Sequence, residues 1–451
     1  MAVEPGSVQA PLGAVLPLWT VLPFGLLLAA IAILPLATPR FWETHGHKGI
    51  VALLLAAPLA AYLVFAHGAE GGEALAESLQ DYLSFIALLG SLFVISGGIH
   101  VGGSLPGTPL ANTAFLGTGA VLANLIGTTG ASMILIRPLL RANAERRRTA
   151  HVFVFFIFVV SNCGGLLTPL GDPPLFLGFL KGVPFMWPLG LWKQWLVVNG
   201  LLLFAFHIID EMLLHKEERE RPEGLLDIVL EKRPIRVTGL HNLLFLGGVV
   251  TVMLVRGEGL GTGGEAWPFG MQEGAMAILA ATAYVTTGTQ LRVANRFGFG
   301  PIVEVAVLFL GIFVTMTAPL LILNARGAAL GLETPWHFFW ATGALSSFLD
   351  NAPTYLTFAA TAAGEVGVSV AGESYLADVL ATGRGADLLA AISCGAVMMG
   401  ANTYIGNGPN FMVRAIVEEN GVRMPSFFGY MAWSAAVLLP TFVVVTLIFF
   451  R

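Results

Sequence analysis

The chain is 451 residues long, 56% apolar and only 11% charged, with a formal net charge of −5 and a mean hydropathy of +0.78. A soluble protein of this length needs roughly 25% charged residues to cover its surface, so a water-exposed globule is excluded, and nothing in the charge points to nucleic acid. The apolar runs are continuous and about 20 residues long rather than about ten and alternating, which selects a helical membrane protein over an outer-membrane barrel.

In chain order, the apolar windows predict ten spans: 17–36, 49–67, 81–100, 150–180, 195–214, 239–255, 272–288, 301–324, 386–413 and 427–450. The first sixteen residues carry no Lys or Arg, so the first span is expected to be retained rather than cleaved as a secretory signal. The stretches 105–136 and 337–362 are broken by small and polar residues and are expected to be re-entrant hairpins. With both hairpins non-crossing, the loops 37–48, 137–148, 215–236, 289–299 and 414–426 share one face and carry 17 Lys and Arg, against 6 on the other. The positive-inside bias makes the first face cytoplasmic and leaves the N-terminus outside, with a bacterial inner membrane as the expected location.

The charged stretch 215–238 is expected to be a cytoplasmic linker between two halves, 1–214 and 239–451. Each half reads as three spans, a hairpin, a long interrupted span and a final span. The first span of one half starts outside and that of the other inside, which is an inverted-topology repeat. The expected fold is therefore all-α, with about ten transmembrane helices and two re-entrant hairpins in two inverted repeats. The repeat is also written in residues. Gly165, Thr168, Gly171 and Pro174 recur as Gly400, Thr403, Gly406 and Pro409, with Asp172 matched by Asn407. Such Gly- and Pro-rich stretches cannot continue an ideal helix, so 150–180 and 386–413 are expected to be broken helices whose unwound backbone lines a cavity.

The candidate site gathers at these breaks and at the hairpin tips. Asp172 and Asp350 are acids at membrane depth, where a carboxylate is costly and usually functional; the competing role for each is capping a half-helix. Asn124, Thr128, Asn162, Thr168, Asn351, Thr354, Asn402, Thr403 and Asn407 add side-chain oxygens of the kind hard cations prefer. The motif segments hold no Lys or Arg before Arg137 and Arg414. An anionic substrate would have to rely on helix N-termini and amides, so the balance tilts toward cation chemistry. Elsewhere, Glu304 is expected to complement a helix dipole, and His100, His151, His207 and His241 to be satisfied at span ends. Asp210 and Glu211 are expected to reach water. Cys163 and Cys394 are expected to pack as small residues without forming a disulfide or metal site. Trp187, Trp192 and Trp195 suggest an interfacial belt. No nucleotide-binding loop, dinucleotide fingerprint or metalloprotease signature is present, so no enzymatic activity and no resident cofactor are expected.

Ser161-Asn-Cys-Gly-Gly165 with Thr168-Pro-Leu-Gly171-Asp172-Pro-Pro174 resembles the Asn-Gly-Gly…Gly-Asp-Pro-Pro segment of the ion transporter superfamily. The relevant branch contains arsenite permeases, sodium/proton antiporters and citrate transporter-like proteins. Leu349-Asp-Asn-Ala-Pro-Thr354 and Gly400-Ala-Asn-Thr403…Gly406-Asn407-Gly-Pro409 fit the same branch. The resemblance implies a homodimer with a scaffold and a mobile transport domain, elevator-type alternating access, and ion sites at the hairpin tips and breaks. Neither tip has the Ser-Asn-Thr of the dicarboxylate carriers, and Gly171-Asp172 is followed by two prolines rather than the antiporters' Val-Thr-Thr. The leading expectation is a sodium/proton antiporter in which Asp172 and Asp350 hold either a cation or a proton. The rival is a sodium- or proton-coupled carrier of a citrate-like organic anion or of an oxyanion such as arsenite.

Overall fold

Lipid offers no hydrogen-bond partners, so a spanning backbone must satisfy its polar groups internally, and an α-helix does so within one segment. The computed structural model describes residues 11–42, 44–220, 233–257, 267–295, 297–326, 331–349, 351–370, 372 and 374–451, and it is predominantly helical. The first half contains α1 (Leu22–Ala37), α2 (His45–Ser96), strand β1 (His100–Ser104), α3 (Pro109–Ile126), α4 (Thr128–Ala142), α5 (Ala150–Val159), α6 (Pro173–Leu180) and α7 (Trp192–Glu220). The second contains strand β2 (Arg233–Thr238), α8 (Asn242–Gly257), α9 (Met271–Thr286), α10 (Gly300–Arg326), α11 (Pro335–Ser346), α12 (Asn351–Glu365), α13 (Gly383–Met399), α14 (Gly408–Glu419) and α15 (Phe427–Phe449).

Among the described residues, eight helices are long and apolar enough to cross a membrane, against the ten spans expected. Three differences account for this. The expected spans 49–67 and 81–100 both fall in α2; α8 and α9 have 16 residues each and are too short; and α3, expected as a hairpin arm, is long enough. Yet α2 is two helices in space. Gly68 has φ 55° and ψ −126°, a conformation open to a residue without a β-carbon. A β-carbon on Gly71 would run into the Leu63 carbonyl, although eight residues of straight helix span about 12 Å. Packing on α10 agrees. Lys48 meets Glu304 and Ala52 meets Gly311, with numbers rising together; Ser78 meets Thr317 and Tyr82 meets Ala306, with numbers running oppositely. The chain therefore reverses at Gly68.

The helices α3 and α4 form a hairpin around Gly127, whose φ is 78°. A β-carbon on Gly107 would run into the Ala142 carbonyl, so the two ends of this hairpin meet. The ends of the α11–α12 pair are drawn together by Arg384, which donates to the Glu333 carbonyl at 3.0 Å and to Glu365 Oε1 at 2.8 Å. Both hairpins extend beyond their expected ends, to Ala142 and Glu365. Asp350, immediately before α12, lies outside the described residues, as does 221–232 of the expected linker.

The helical fold carries one addition that the sequence did not announce. Strand β1 pairs antiparallel with β2, His100 opposite Thr238 and Val101 opposite Val237, and Arg141 ties the ribbon down through the carbonyls of Val101 and Gly103. A five-residue pairing of segments over 100 residues apart leaves no trace in a 20-residue hydropathy window.

The core centres on α5, where Phe153, Phe155, Phe156 and Phe158 are completely buried. Phe65, Leu244, Val285 and Phe428 are exposed on outer helices, as expected of side chains that face lipid. Asp210 does not reach water, contrary to expectation. It is fully buried and receives Arg146 at 2.6 Å, His151 at 2.8 Å and Asn112 at 3.0 Å. The loop after α4 folds over this part of α7, which reading α7 alone cannot reveal.

Candidate functional site

The two helix breaks follow from their local sequences. Helix α5 stops at Val159, a 3₁₀ turn covers Cys163–Leu167, Thr168 is extended, and α6 restarts with prolines in its first turn. Proline is suited to that position because its missing N–H would be unbonded there anyway. In the second half, α13 stops at Met399, a 3₁₀ turn covers Gly400–Asn402, Thr403 is extended, and α14 restarts with Pro409 in its first turn. Asp172 is the N-cap of α6 and Asn407 the N-cap of α14, both extended.

Hydrogen bonds join four helix starts into one cluster. Asp172 is 1% exposed. Its Oδ1 accepts from the Thr128 hydroxyl at 2.8 Å and from the Asn407 amide at 3.4 Å, and its Oδ2 accepts from the Asn351 amide at 2.5 Å. Thr128 is the first residue of α4 and Asn351 the first of α12. Donors on both oxygens suit an ionised carboxylate. Each helix N-terminus carries about half a positive charge on its unbonded N–H groups, so four of them surround one buried acid.

A cavity of about 670 Å³ reaches this cluster, lined there by Thr128, Thr129, Gly130, Asp172 and Asn407 and on its far wall by α1, α2 and α10. The Thr128 N–H donates to the Gly171 carbonyl at 2.8 Å. Thr129 and Gly130 follow in the first turn of α4, where N–H groups have no acceptor within their own helix. Unbonded N–H groups at a helix start suit an anion. Asp172 and the Thr128 hydroxyl offer oxygens to a cation.

The other expected site residues hold the breaks in shape. Asn124 Oδ1 accepts from the Leu167 N–H at 2.8 Å, and the Thr168 hydroxyl donates to the Asn124 carbonyl at 2.5 Å. In the second half, the Thr403 hydroxyl donates to the Ser347 carbonyl at 2.5 Å and the Asn402 amide to the Ser347 hydroxyl at 2.9 Å. Asn162 accepts from Asn407 at 3.1 Å and donates to Asn410 at 2.7 Å. Thr354 is buried within α12 and does not line the cavity.

Two residues went unrecognised in the sequence. Asn410 is fully buried and donates to the carbonyls of Gly400 and Thr403, pinning the second break; its signal is an amide one turn after Asn407. Lys48, counted above among loop bases, lies in α2, is 4% exposed and lines the cavity, 2.5 Å from Glu304. Glu304 therefore has a partner beyond the helix dipole.

Compared with families of known proteins, residues 13–450 match the CitMHS_2 family, described as "Putative citrate transport". No curated protein matches the chain.

Proposed function

The chain belongs to this citrate-transport family of the ion transporter branch, and from that premise we propose that it is a secondary transporter carrying a citrate-type polycarboxylate coupled to sodium or protons. The observation that carries the reading is the meeting of four helix N-termini around Asp172. That arrangement offers helix-end donors to an anionic substrate, and it moves the balance away from cation exchange alone. In the proposed complex, a substrate carboxylate docks on the first turn of α4 near Thr129 and Gly130. Asp172 is too close to leave its own charge uncompensated beside that anion, so a coupling cation or proton sits with it. Substrate and coupling ion thereby stabilise each other's binding, which is the thermodynamic requirement for coupled flux.

Movement follows the elevator scheme implied by the resemblance. The helices α2 and α10 form the fixed wall, and the hairpins with the broken helices form the carrier. The matching bonds from Thr168 to Asn124 and from Thr403 to Ser347 support two inverted repeats. Pro35, Trp42, Lys48 and Gly300 line the cavity and sit at the ends of their helices that face the basic loops. The described conformation is on this reading inward-facing. The assembly is proposed to be a homodimer in the inner membrane, N-terminus outside.

The test is uptake of radiolabelled citrate by proteoliposomes under imposed sodium or proton gradients. Gradient-driven uptake above that of empty liposomes is expected. A second reading, sodium/proton antiport centred on Asp172, is favoured by that buried carboxylate. Sodium-driven proton movement in the same vesicles without citrate, together with no citrate uptake, would replace the first reading with the second.

A further inference from the structure

We propose that Lys48 is a specificity-determining residue: it receives a second carboxylate of the substrate across the cavity from the α4 start, exchanging Glu304 for that carboxylate. This rests on the carboxylate-transport reading above. Three observations carry it. Lys48 is the cationic side chain among the described residues lining the cavity that reaches Asp172. Its partners are unequal: the Lys48 side chain is 5% exposed and lies over the Trp42 ring at 5.9 Å, whereas the Glu304 side chain is 39% exposed. The ammonium is therefore the fixed member of the pair, and Glu304 is free to turn toward water and yield its place. An ammonium has three donors, so its capacity is not exhausted by one carboxylate oxygen.

The third observation is depth. Phe85 stacks on Phe309 at 4.8 Å, where the second helix of α2 runs antiparallel to α10. Seven residues onward from Phe85 is Leu92, and seven back from Phe309 is Ile302, so these two share a level at equal helical rise. Glu304, and with it Lys48, lies within one turn of that level. A β-carbon on Gly127, at the hairpin tip, would meet the Leu92 side chain at 3.8 Å. The tip that begins α4 and the Lys48 ammonium thus stand at one depth on opposite walls of the cavity. A molecule with two or three carboxylates has one group for each wall, and a monocarboxylate does not.

The experiment is citrate uptake by full-length protein in proteoliposomes, read as KM and maximal rate for the wild type, Lys48→Gln, Lys48→Arg and Glu304→Gln. Loss of a charged hydrogen bond predicts a KM increase of about tenfold or more in Lys48→Gln, with a much smaller change in maximal rate. Lys48→Arg is expected to recover most of it. Glu304→Gln removes the competing carboxylate and is expected to lower KM. A purely structural pair would lower maximal rate in Lys48→Gln and Glu304→Gln alike and move KM in neither direction; that outcome overturns the assignment. A wild type that takes up no citrate overturns the functional reading itself, whereas normal wild-type uptake with unchanged KM in Lys48→Gln overturns the role of Lys48 alone.

Discussion

Replacing Asp172 with Asn separates the charge of this residue from its shape. The carboxylate accepts hydrogen bonds from Thr128, Asn351 and Asn407. An asparagine oxygen can keep Thr128 and Asn407, while its NH2 would face the Asn351 NH2. That conflict has a local remedy. Asn351 Oδ1 is buried without a hydrogen-bond partner among the described residues, so turning the Asn351 amide over presents an acceptor to the new NH2. The variant is thus expected to fold and melt close to the wild type in detergent. What it loses is the charge. A carboxylate and a cation about 4 Å apart interact by about 4 kcal/mol at an effective dielectric constant near 20, which corresponds to about a thousandfold in ion affinity. The assay is gradient-driven citrate uptake with the coupling-ion concentration varied. Uptake should lose its dependence on the gradient, and the half-saturating ion concentration should rise out of reach. An Asp172→Asn protein that keeps ion-coupled uptake within a few-fold of the wild type would refute the assignment of the coupling ion to this carboxylate.

Other outcomes follow from the same geometry. Lys181 and Asp81 pair at 2.6 Å with largely buried side chains, tying the end of α6 to α2; Lys181→Gln should weaken this conformation by about 0.5–1 kcal/mol and raise labelling of outward-facing cysteine reporters two- to five-fold, and unchanged labelling would contradict a state-specific tie. Arg146→Met should destabilise the fold by about 3–5 kcal/mol by leaving Asp210 and His151 without their buried cation; a melting temperature equal to the wild type's would show that the cluster carries no such weight. Thr168→Val and Thr403→Val each remove a hydroxyl bond to a hairpin-tip carbonyl, together with the bonds that hydroxyl accepts from the Gly171 N–H or from the Ile405 and Gly406 N–H groups, and should each cost at least about 1 kcal/mol. Melting curves that separate the two variants by several-fold would argue against equivalent roles in the two halves.

The helix breaks at this candidate site were legible in the sequence because their chemistry is local. A Gly–Pro stretch inside an apolar span dictates a broken helix wherever the rest of the chain goes, and both breaks lie where Gly165–Pro174 and Gly400–Pro409 predict them. Which oxygen points at the cavity and which braces the backbone is a matter of tertiary direction. Thr128 and Thr168 are the same residue type beside similar breaks, yet one bonds the buried acid and the other a carbonyl. Lys48 was misread because a base at the start of an apolar run resembles a loop residue until α10 supplies Glu304. The burial of Asp210 and the β1–β2 ribbon likewise depend on segments far apart in the chain. The functional balance shifted for a related reason: single residues suggested cation ligands, whereas the anion site proposed above is built on helix ends that converge only in the folded protein.

The most direct measurement is an experimental structure of the full-length protein with citrate and the coupling ion bound. A carboxylate within hydrogen-bond distance of the Thr129 and Gly130 amides, next to Asp172, is the predicted result. Citrate bound elsewhere in the molecule, with the four helix starts closed on one another and their amides turned from the ligand, would contradict it.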